Sequence, residues 1–320
     1  MCEMRGRKGE NMALKKSIKW GVNGHHYGYA AYNKNNQDEA LRLAAELGST
    51  IYRINYKPTN AEQVAYIRDV MQKCHNYGME VVLVLDYGMS ENYLENAEDF
   101  AANVTYIAEN VKDLADYIQL FNETDIWASG CVGGYYDLSD PTGMSPGYFN
   151  PERVKLAVEL MKIAMPALRR GAPDAKVIVN FGVRHYPMMD YFREAGIEWD
   201  ILGIDNYEIW DYHGFFQFLE KHFPGYDLMI TECNYPALWG PYDDPDQKES
   251  EWLEMFLNAM NDYPSDRLKG VMVYELLDQP AFEIQKGSYE GESHFSLVRV
   301  KPDNTIAEPK PAYYTVQKLF

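Results

Sequence analysis

Residues Thr50–Asp86 read TIYRINYKPTNAEQVAYIRDVMQKCHNYGMEVVLVLD, and this stretch decides the fold. It opens on a short apolar run and passes through a polar turn. A helical segment follows, with Thr59-Asn60 as its N-cap signal and Gly78 as its stop. The unbroken apolar run Glu80–Asp86 closes it. Such runs, apolar on both faces, are the signature of parallel strands covered by helices on one side and filled by a core on the other. Thr50–Asp86 is therefore a strand–helix–strand unit.

Working outward, the same unit repeats along the chain. Further strands are predicted at Ile18–Asn23, Tyr117–Asn122, Lys176–Phe181, Ile201–Asn206, Asp227–Thr231 and Gly270–Glu275. Helices are predicted over Asp38–Leu47, Ala61–Tyr77, Ala97–Lys112, Pro151–Arg170, His213–Phe223, Asp246–Asp262 and Lys310–Leu319. Pro151 after Asn150, with Gly171 closing, is the N-terminal proline and C-terminal glycine asymmetry of a helix. Eight strands alternating with helices predict an α/β fold of the (β/α)8 TIM-barrel type. An open doubly wound sheet is the competitor. It usually carries a G-x-G-x-x-G turn after its first strand, and Asn23-Gly24-His25-His26-Tyr27-Gly28 lacks that spacing. The 320 residues fit a single barrel at 18–320, after a disordered N-terminal extension at 1–17. Two connections are long, Thr124–Asn150 after strand four and Leu276–Glu308 after strand eight. Loops at those strand ends are where a barrel builds its site.

Charge narrows the function. Thirty Lys+Arg against 48 Asp+Glu leave a net charge of −18, which argues against phosphate-backbone and anionic-membrane partners. The four cysteines are scattered and form no C-x-x-C pair, so neither a zinc framework nor a disulfide scaffold is expected. Met1–Trp20 has no apolar h-region, and no window holds about 18 consecutive apolar residues. A cytoplasmic chain is expected; a secreted one would need a processed or replaced N-terminus. No cofactor is implied, and the sequence leaves the oligomeric state open.

Barrel enzymes place catalytic groups at the C-terminal ends of strands. Here those ends carry Asn23 and His25, Arg53 and Asn55, Asp86, Asn122 and Glu123, Asn180 and Arg184, Asp205 and Tyr207, Glu232, and Tyr274 and Glu275. A stability face would not need this ring of polar groups. Glu123 and Glu232 each end an apolar strand with a carboxylate. Paired carboxylates on facing strands perform glycoside hydrolysis: one protonates the leaving oxygen, and the other attacks the anomeric carbon or activates water. Strands four and seven oppose each other, so the ~5–5.5 Å separation of a retaining pair is reachable.

With Asn-Glu at Asn122-Glu123 ending strand four and Glu232 ending strand seven, the chain resembles the clan A retaining glycoside hydrolases. The likeness runs from Trp20 to about Phe320. It implies a retaining β-glycosidase in which Glu123 is the general acid/base and Glu232 the nucleophile. It further implies that Asn122 bonds the sugar 2-hydroxyl, that Arg53 keeps the nucleophile ionised, and that Tyr207 donates to the same carboxylate. The C-terminal runs Tyr274–Pro280, His294–Val298 and Lys310–Tyr314 also look like the tail of many clan members. The chain departs from them at the end of strand eight. Many members carry Trp there beneath the −1 sugar; this one carries Tyr274 and Glu275.

Secondary candidates surround the pair. Trp127, Trp210 and Trp239 lie just past strands four, six and seven, where they could stack on sugar faces or simply pack the loops. His25 and Asn23 could bind hydroxyls or serve the structure. Asp205 and Asp86 could orient site groups, whereas Cys233 should alternate away from the pocket. Three other functions compete. A metal-dependent sugar isomerase or epimerase would gather Glu123, Asp205, Glu232 and Glu275 around a divalent cation, but it lacks a histidine squarely at a strand end between strands five and eight. A non-catalytic glycan-binding barrel has no use for two intact carboxylates with Arg53 beside them. A Schiff-base aldolase needs a lysine inside the barrel, and Lys57 lies in a loop.

Overall fold

The computed structural model describes residues 14–129, 143–208, 211–235, 244–281 and 293–320. Most of the predicted extension, residues 1–13, lies outside them. Of its remainder, the Lys15 N–H donates to Asn261 Oδ1 (2.7 Å) and its Nζ to the Tyr263 carbonyl (2.9 Å). Among the described residues no helix is long and apolar enough to cross a membrane.

Eight parallel strands close into one barrel in chain order, the predicted (β/α)8 architecture. They are β1 (Lys19–Gly24), β2 (Ile51–Ile54), β3 (Glu80–Leu85), β4 (Tyr117–Leu120), β5 (Lys176–Gly182), β6 (Ile201–Asn206), β7 (Asp227–Cys233) and β8 (Leu268–Val273). The helices are α1 (Gln37–Glu46), α2 (Ala61–Asn76), α3 (Asn92–Glu95), α4 (Ala97–Val111), α5 (Thr124–Ser129), α6 (Pro151–Gly171), α7 (Pro187–Glu194), α8 (Tyr212–His222), α9 (Pro245–Asn261) and α10 (Pro311–Leu319). The caps fall where the sequence predicts them. Asn60 Oδ1 accepts from the Gln63 N–H at the start of α2, and Asn150 Oδ1 from Glu152 and Arg153 at the start of α6. Gly78 (φ +79°) takes the left-handed turn after α2.

The structure adds what periodicity missed. The short helices α3, α5 and α7 lie outside the predicted helices, since one or two turns show too little period to register. The connection after β8 contains an antiparallel pair, β9 (Val298–Val300) and β10 (Ile306–Pro309).

Two layers fill the barrel. Ile51, Val82, Tyr117, Ile178, Ile201, Met229 and Met272, one from each of β2–β8, form a buried plug separate from the outer core. Each apolar side chain so buried contributes roughly 1.5–3 kcal/mol. On β1 the plug position is Gly21, where a Cβ would stand 1.8 Å from the Ile51 carbonyl oxygen. Because strand side chains alternate, residues two further along point to the same interior. Those residues are Asn23, Arg53, Val84, Gln119, Asn180, Gly203, Thr231 and Tyr274, six of the eight polar. The period that builds the plug thus lifts a polar layer directly above it, at the C-terminal mouth.

Candidate active site

Arg53 is fully buried at the centre of that polar layer. Its Nη1 donates to Glu232 Oε1 (2.6 Å) and Asn23 Oδ1 (2.7 Å), its Nε to Gln119 Oε1 (2.9 Å), and its Nη2 to Asn122 Oδ1 (2.7 Å). Burial opposes its charge, but the Glu232 and Asp205 carboxylates outweigh that and raise its pKa. Removing one member of such a buried pair typically costs 3–5 kcal/mol, because the other charge is left uncompensated.

Glu232 reaches the site through an irregularity in β7. Ile204 pairs with Ile230, yet Asp205 pairs with Glu232; against β8, Ile230 pairs with Val271 and Cys233 with Val273. One extra residue on β7 forms a bulge, which re-aims the following side chains. Thr231 and Glu232 both face the site as a result. Cys233 packs into the outer core, away from the pocket as expected. The Tyr207 hydroxyl donates to Glu232 Oε2 at 2.7 Å. Each oxygen of this carboxylate therefore receives its own donor, one of them a cation.

Glu123 follows the strained end of β4. Phe121 (φ +62°) and Glu123 (φ +43°) both occupy the left-handed region, at about 1–3 kcal/mol each for non-glycine residues. Surrounding bonds fix the turn: the Glu123 N–H donates to Asn180 Oδ1 (3.1 Å) and the Phe121 N–H to the Leu85 carbonyl (3.0 Å). Burial raises the Glu123 pKa well above the carboxylate range. The Asp205, Glu232 and Asp125 carboxylates push the same way, and Arg53 opposes them. The two glutamates therefore act on each other electrostatically, and Glu123 is the one driven towards its protonated form.

Asn122 Oδ1 accepts from Arg53 Nη2, Gln119 Nε2 (3.1 Å) and Asn180 Nδ2 (2.9 Å). Three donors converging on one atom fix the amide orientation. Its Nδ2 carries no hydrogen bond within the described residues. Asn23 differs, since its whole amide is engaged: Oδ1 accepts from Arg53 and Asn55 (3.2 Å), and Nδ2 donates to the Thr231 and Val273 carbonyls (3.0 and 3.3 Å). Asn23 ties strands together beneath the site.

Glu275 is buried and accepts from the Tyr32 hydroxyl (3.0 Å) and Gln279 Nε2 (3.2 Å). Burial raises its pKa well above the usual range against those two bonds. His25 Nε2 stands 3.6 Å from the same oxygen, and burial, then Arg53, hold the imidazole well below its ordinary pKa. The His25 ring stacks on Tyr29 (centroids 4.0 Å apart) and meets Tyr274 edge-on (5.5 Å). Tyr274 in turn lies edge-on to Tyr207 (6.2 Å). The Trp127 ring lies under the Arg153 guanidinium (5.1 Å), whose Nη1 donates to the Trp127 carbonyl. Trp210 and Trp239 lie outside the described residues.

Several site residues escaped the sequence reading. Gln119 and Thr231 are single polar residues inside otherwise apolar strands, and that intrusion was the available signal; Asn180, read at its strand end, is a third of the kind. Asp205 links two of them, accepting from Asn180 Nδ2 (2.5 Å) and the Thr231 hydroxyl (2.6 Å); burial, then Glu232, raise its pKa. Asp125 and His185 (Oδ2 to Nδ1, 2.6 Å) join the ends of β4 and β5. Tyr32 and Gln279 come from connections with no periodic pattern. Among the described residues no group of three or more His, Cys, Asp or Glu side chains is arranged to hold a metal. Asp205, Glu232 and Glu275 instead spend their oxygens on protein donors.

No protein-family model matches the chain, and no curated protein matches it by sequence. Solved structures do match in shape. β-Glycosidase BGL167 aligns at 15% identity over 95% of this chain and 96% of its own, with a TM-score of 0.65. The AHE enzyme from Alicyclobacillus herbarius aligns at 13% over 97% and 99%, TM-score 0.70. The Thermotoga maritima β-glucosidase in complex with azafagomine aligns at 14% over 95% and 98%, also at 0.70. At these identities the likeness establishes the fold: the chain is a (β/α)8 barrel, matched nearly end to end by structures of which two bear the names β-glycosidase and β-glucosidase.

Proposed function

We propose that this chain is a glycoside hydrolase that cleaves β-glycosidic bonds by a retaining double displacement, with Glu123 as acid/base and Glu232 as nucleophile. One observation carries the reading: two carboxylates share a buried site but sit in opposite environments. Glu232 is held by Arg53 and Tyr207, one donor on each oxygen. Glu123 is half-buried among other carboxylates, which favours its neutral form. Two carboxyl groups with divergent environments are the arrangement that separates a nucleophile from an acid.

In the first step Glu123 protonates the glycosidic oxygen as Glu232 attacks the anomeric carbon, giving a covalent glycosyl ester. Glu123, now ionised, then takes a proton from water, which attacks that carbon and releases Glu232. The partnerless Nδ2 of Asn122 is the donor available to a sugar hydroxyl, with its other end clamped by three bonds. Tyr274 takes the strand-eight position beside Tyr207. No step calls for a cofactor. The structural neighbours, among them a β-glycosidase, a β-glucosidase in complex with glucoimidazole and the virulence factor SghA in complex with its substrate analogue salicin, point to the same substrate class.

A panel of 2-deoxy-2-fluoro aryl β-glycosides tests the assignment. Mass spectrometry of the inactivated protein should place the label on Glu232, and Glu232→Ala should abolish turnover. A label on another residue, or near-native turnover by the variant on every cleaved glycoside, would overturn it.

A further inference from the structure

A groove of about 650 Å³ lies beside the site, between the connection that follows β1 and the first turns of α2. Its size is that of a small-molecule site, ~300–1,000 Å³. Both walls rise on the catalytic side of the barrel, since the connection leaves the C-terminal end of β1 and α2 begins just after β2.

The lining is aromatic and polar together. Tyr27, Tyr29 and Tyr66 present rings, and Asn33, Lys34, Glu62 and Asp69 present polar heads, the Asp69 carboxylate being paired with Lys73 (2.9 Å). Tyr27 is 44% exposed and meets Tyr66 at a 5.2 Å centroid separation. Its backbone is held at φ +69°, a conformation that is uncommon for a bulky residue. Lys34 and Glu62 enter no ion pair or hydrogen bond within the described residues, and their charges offset each other. Aromatic faces with scattered donors and acceptors and little net charge suit a neutral ring rich in hydroxyl groups.

The groove adjoins the site through Tyr29. Tyr29 lines it while stacking on His25, which reaches Glu275 and Tyr274. A chain leaving the reacting carbon towards β1 would cross Tyr29 and enter the groove.

We propose that this tyrosine groove is an extended subsite that binds one or two further sugar units of a β-linked oligosaccharide, so that substrates longer than a disaccharide are favoured. The inference rests on the glycosidase reading for its substrate class, but its test does not need turnover. Tetrasaccharides of β-linked glucose, mannose, xylose and galactose would be titrated by calorimetry into Glu123→Gln protein, with and without Tyr27→Ala and Tyr27→Phe. At least one tetrasaccharide should bind. Alanine should weaken that binding about tenfold, and phenylalanine, which keeps the ring, should stay within about threefold. In active protein, Tyr27→Ala should lower the ratio of kcat/KM for that tetrasaccharide to kcat/KM for an aryl monoglycoside about tenfold.

If no tetrasaccharide binds, or if alanine leaves binding and the ratio unchanged, the groove is not a subsite. An equal loss on both substrates also overturns it, since that places Tyr27 in the general architecture. Tyr27-dependent binding without hydrolysis of any glycoside would sink the glycosidase reading and leave the groove standing as a glycan site.

Discussion

Changing Tyr207 to phenylalanine removes one oxygen atom and tests the role of Glu232 directly. The ring keeps its neighbours, Phe295 at 5.4 Å and Tyr274 at 6.2 Å, so packing is preserved. Only the 2.7 Å donation to Glu232 Oε2 is lost. A hydrogen bond to a charged group contributes about 1.5–3 kcal/mol. The double displacement makes that loss asymmetric. In the first step Glu232 spends its charge as it attacks, so losing a donor that favours the charged form is partly offset by greater nucleophilicity. In the second step Glu232 leaves as a carboxylate, and the donor stabilises the charge as it develops. Breakdown of the glycosyl ester should therefore slow by about 10–150-fold, at ~1.4 kcal/mol per factor of ten. For a dinitrophenyl β-glycoside, whose leaving group needs little protonation, kcat should fall by that factor. KM should fall with it as the ester accumulates, and kcat/KM should fall less. Stopped-flow release of dinitrophenolate should show a burst that exceeds any in the wild type. A kcat within threefold of wild type, with no change in burst, would refute the role given to Glu232. So would equal losses in kcat and kcat/KM without a burst, since that marks an effect confined to the first step.

Two further outcomes follow from acids with raised pKa values. Glu123→Gln should lower kcat/KM by about 10²–10⁴-fold on an alkyl glycoside and far less on the dinitrophenyl glycoside, because only the former needs a strong general acid. The folded-state pKa of Glu123 is raised, so its contribution to stability is full below the unfolded carboxyl range and is lost as pH rises through the folded value. The glutamine variant should accordingly lose the alkaline limb of the rate profile and gain in Tm over wild type as pH rises; parallel Tm curves would contradict this. Glu249, on α9, is pushed up to about 7 by burial, although Lys310 and the Asn234 hydrogen bond oppose the shift. Glu249→Gln should flatten the loss of stability between about pH 4.5 and pH 7, a change on the order of 3 kcal/mol, with activity little altered. A denaturation series across that range checks it, and an unchanged slope would show that the side chain is solvated.

The barrel was legible because its signal is repeated. Each of the eight strands is an apolar run of the right length, so differences of one or two residues at their ends, as at β4 or β8, left the topology intact. Glu123, Glu232, Arg53, Asn122 and Tyr207 were legible because strand ends are countable and the residues there are chemically distinct. What stayed hidden was whatever depends on contact between distant segments. Nothing in a one-dimensional string pairs Gln119 with Arg53, Tyr32 with Glu275, or Asp125 with His185. Asn23 illustrates the converse. Its place at a strand end was read correctly, but only the structure shows that all four of its hydrogen bonds are spent inside the protein. The helices α5 and α7 were too short for any period to emerge.

The β7 bulge makes the address of Glu232 a matter of counting. The extra residue between the Ile204–Ile230 and Asp205–Glu232 pairs inserts one step into an alternation of two. Without the bulge, an unbroken alternation from Met229 would exchange inside for outside beyond Thr231. The carboxylate would then move towards the helices and the Cys233 thiol towards the mouth. A deletion that absorbs the bulge would leave Glu232 at the mouth and cost Asp205 the Thr231 hydroxyl that donates to it. An engineer regrafting this strand should therefore carry the bulge with it, because the bulge and not the alternation aims Glu232.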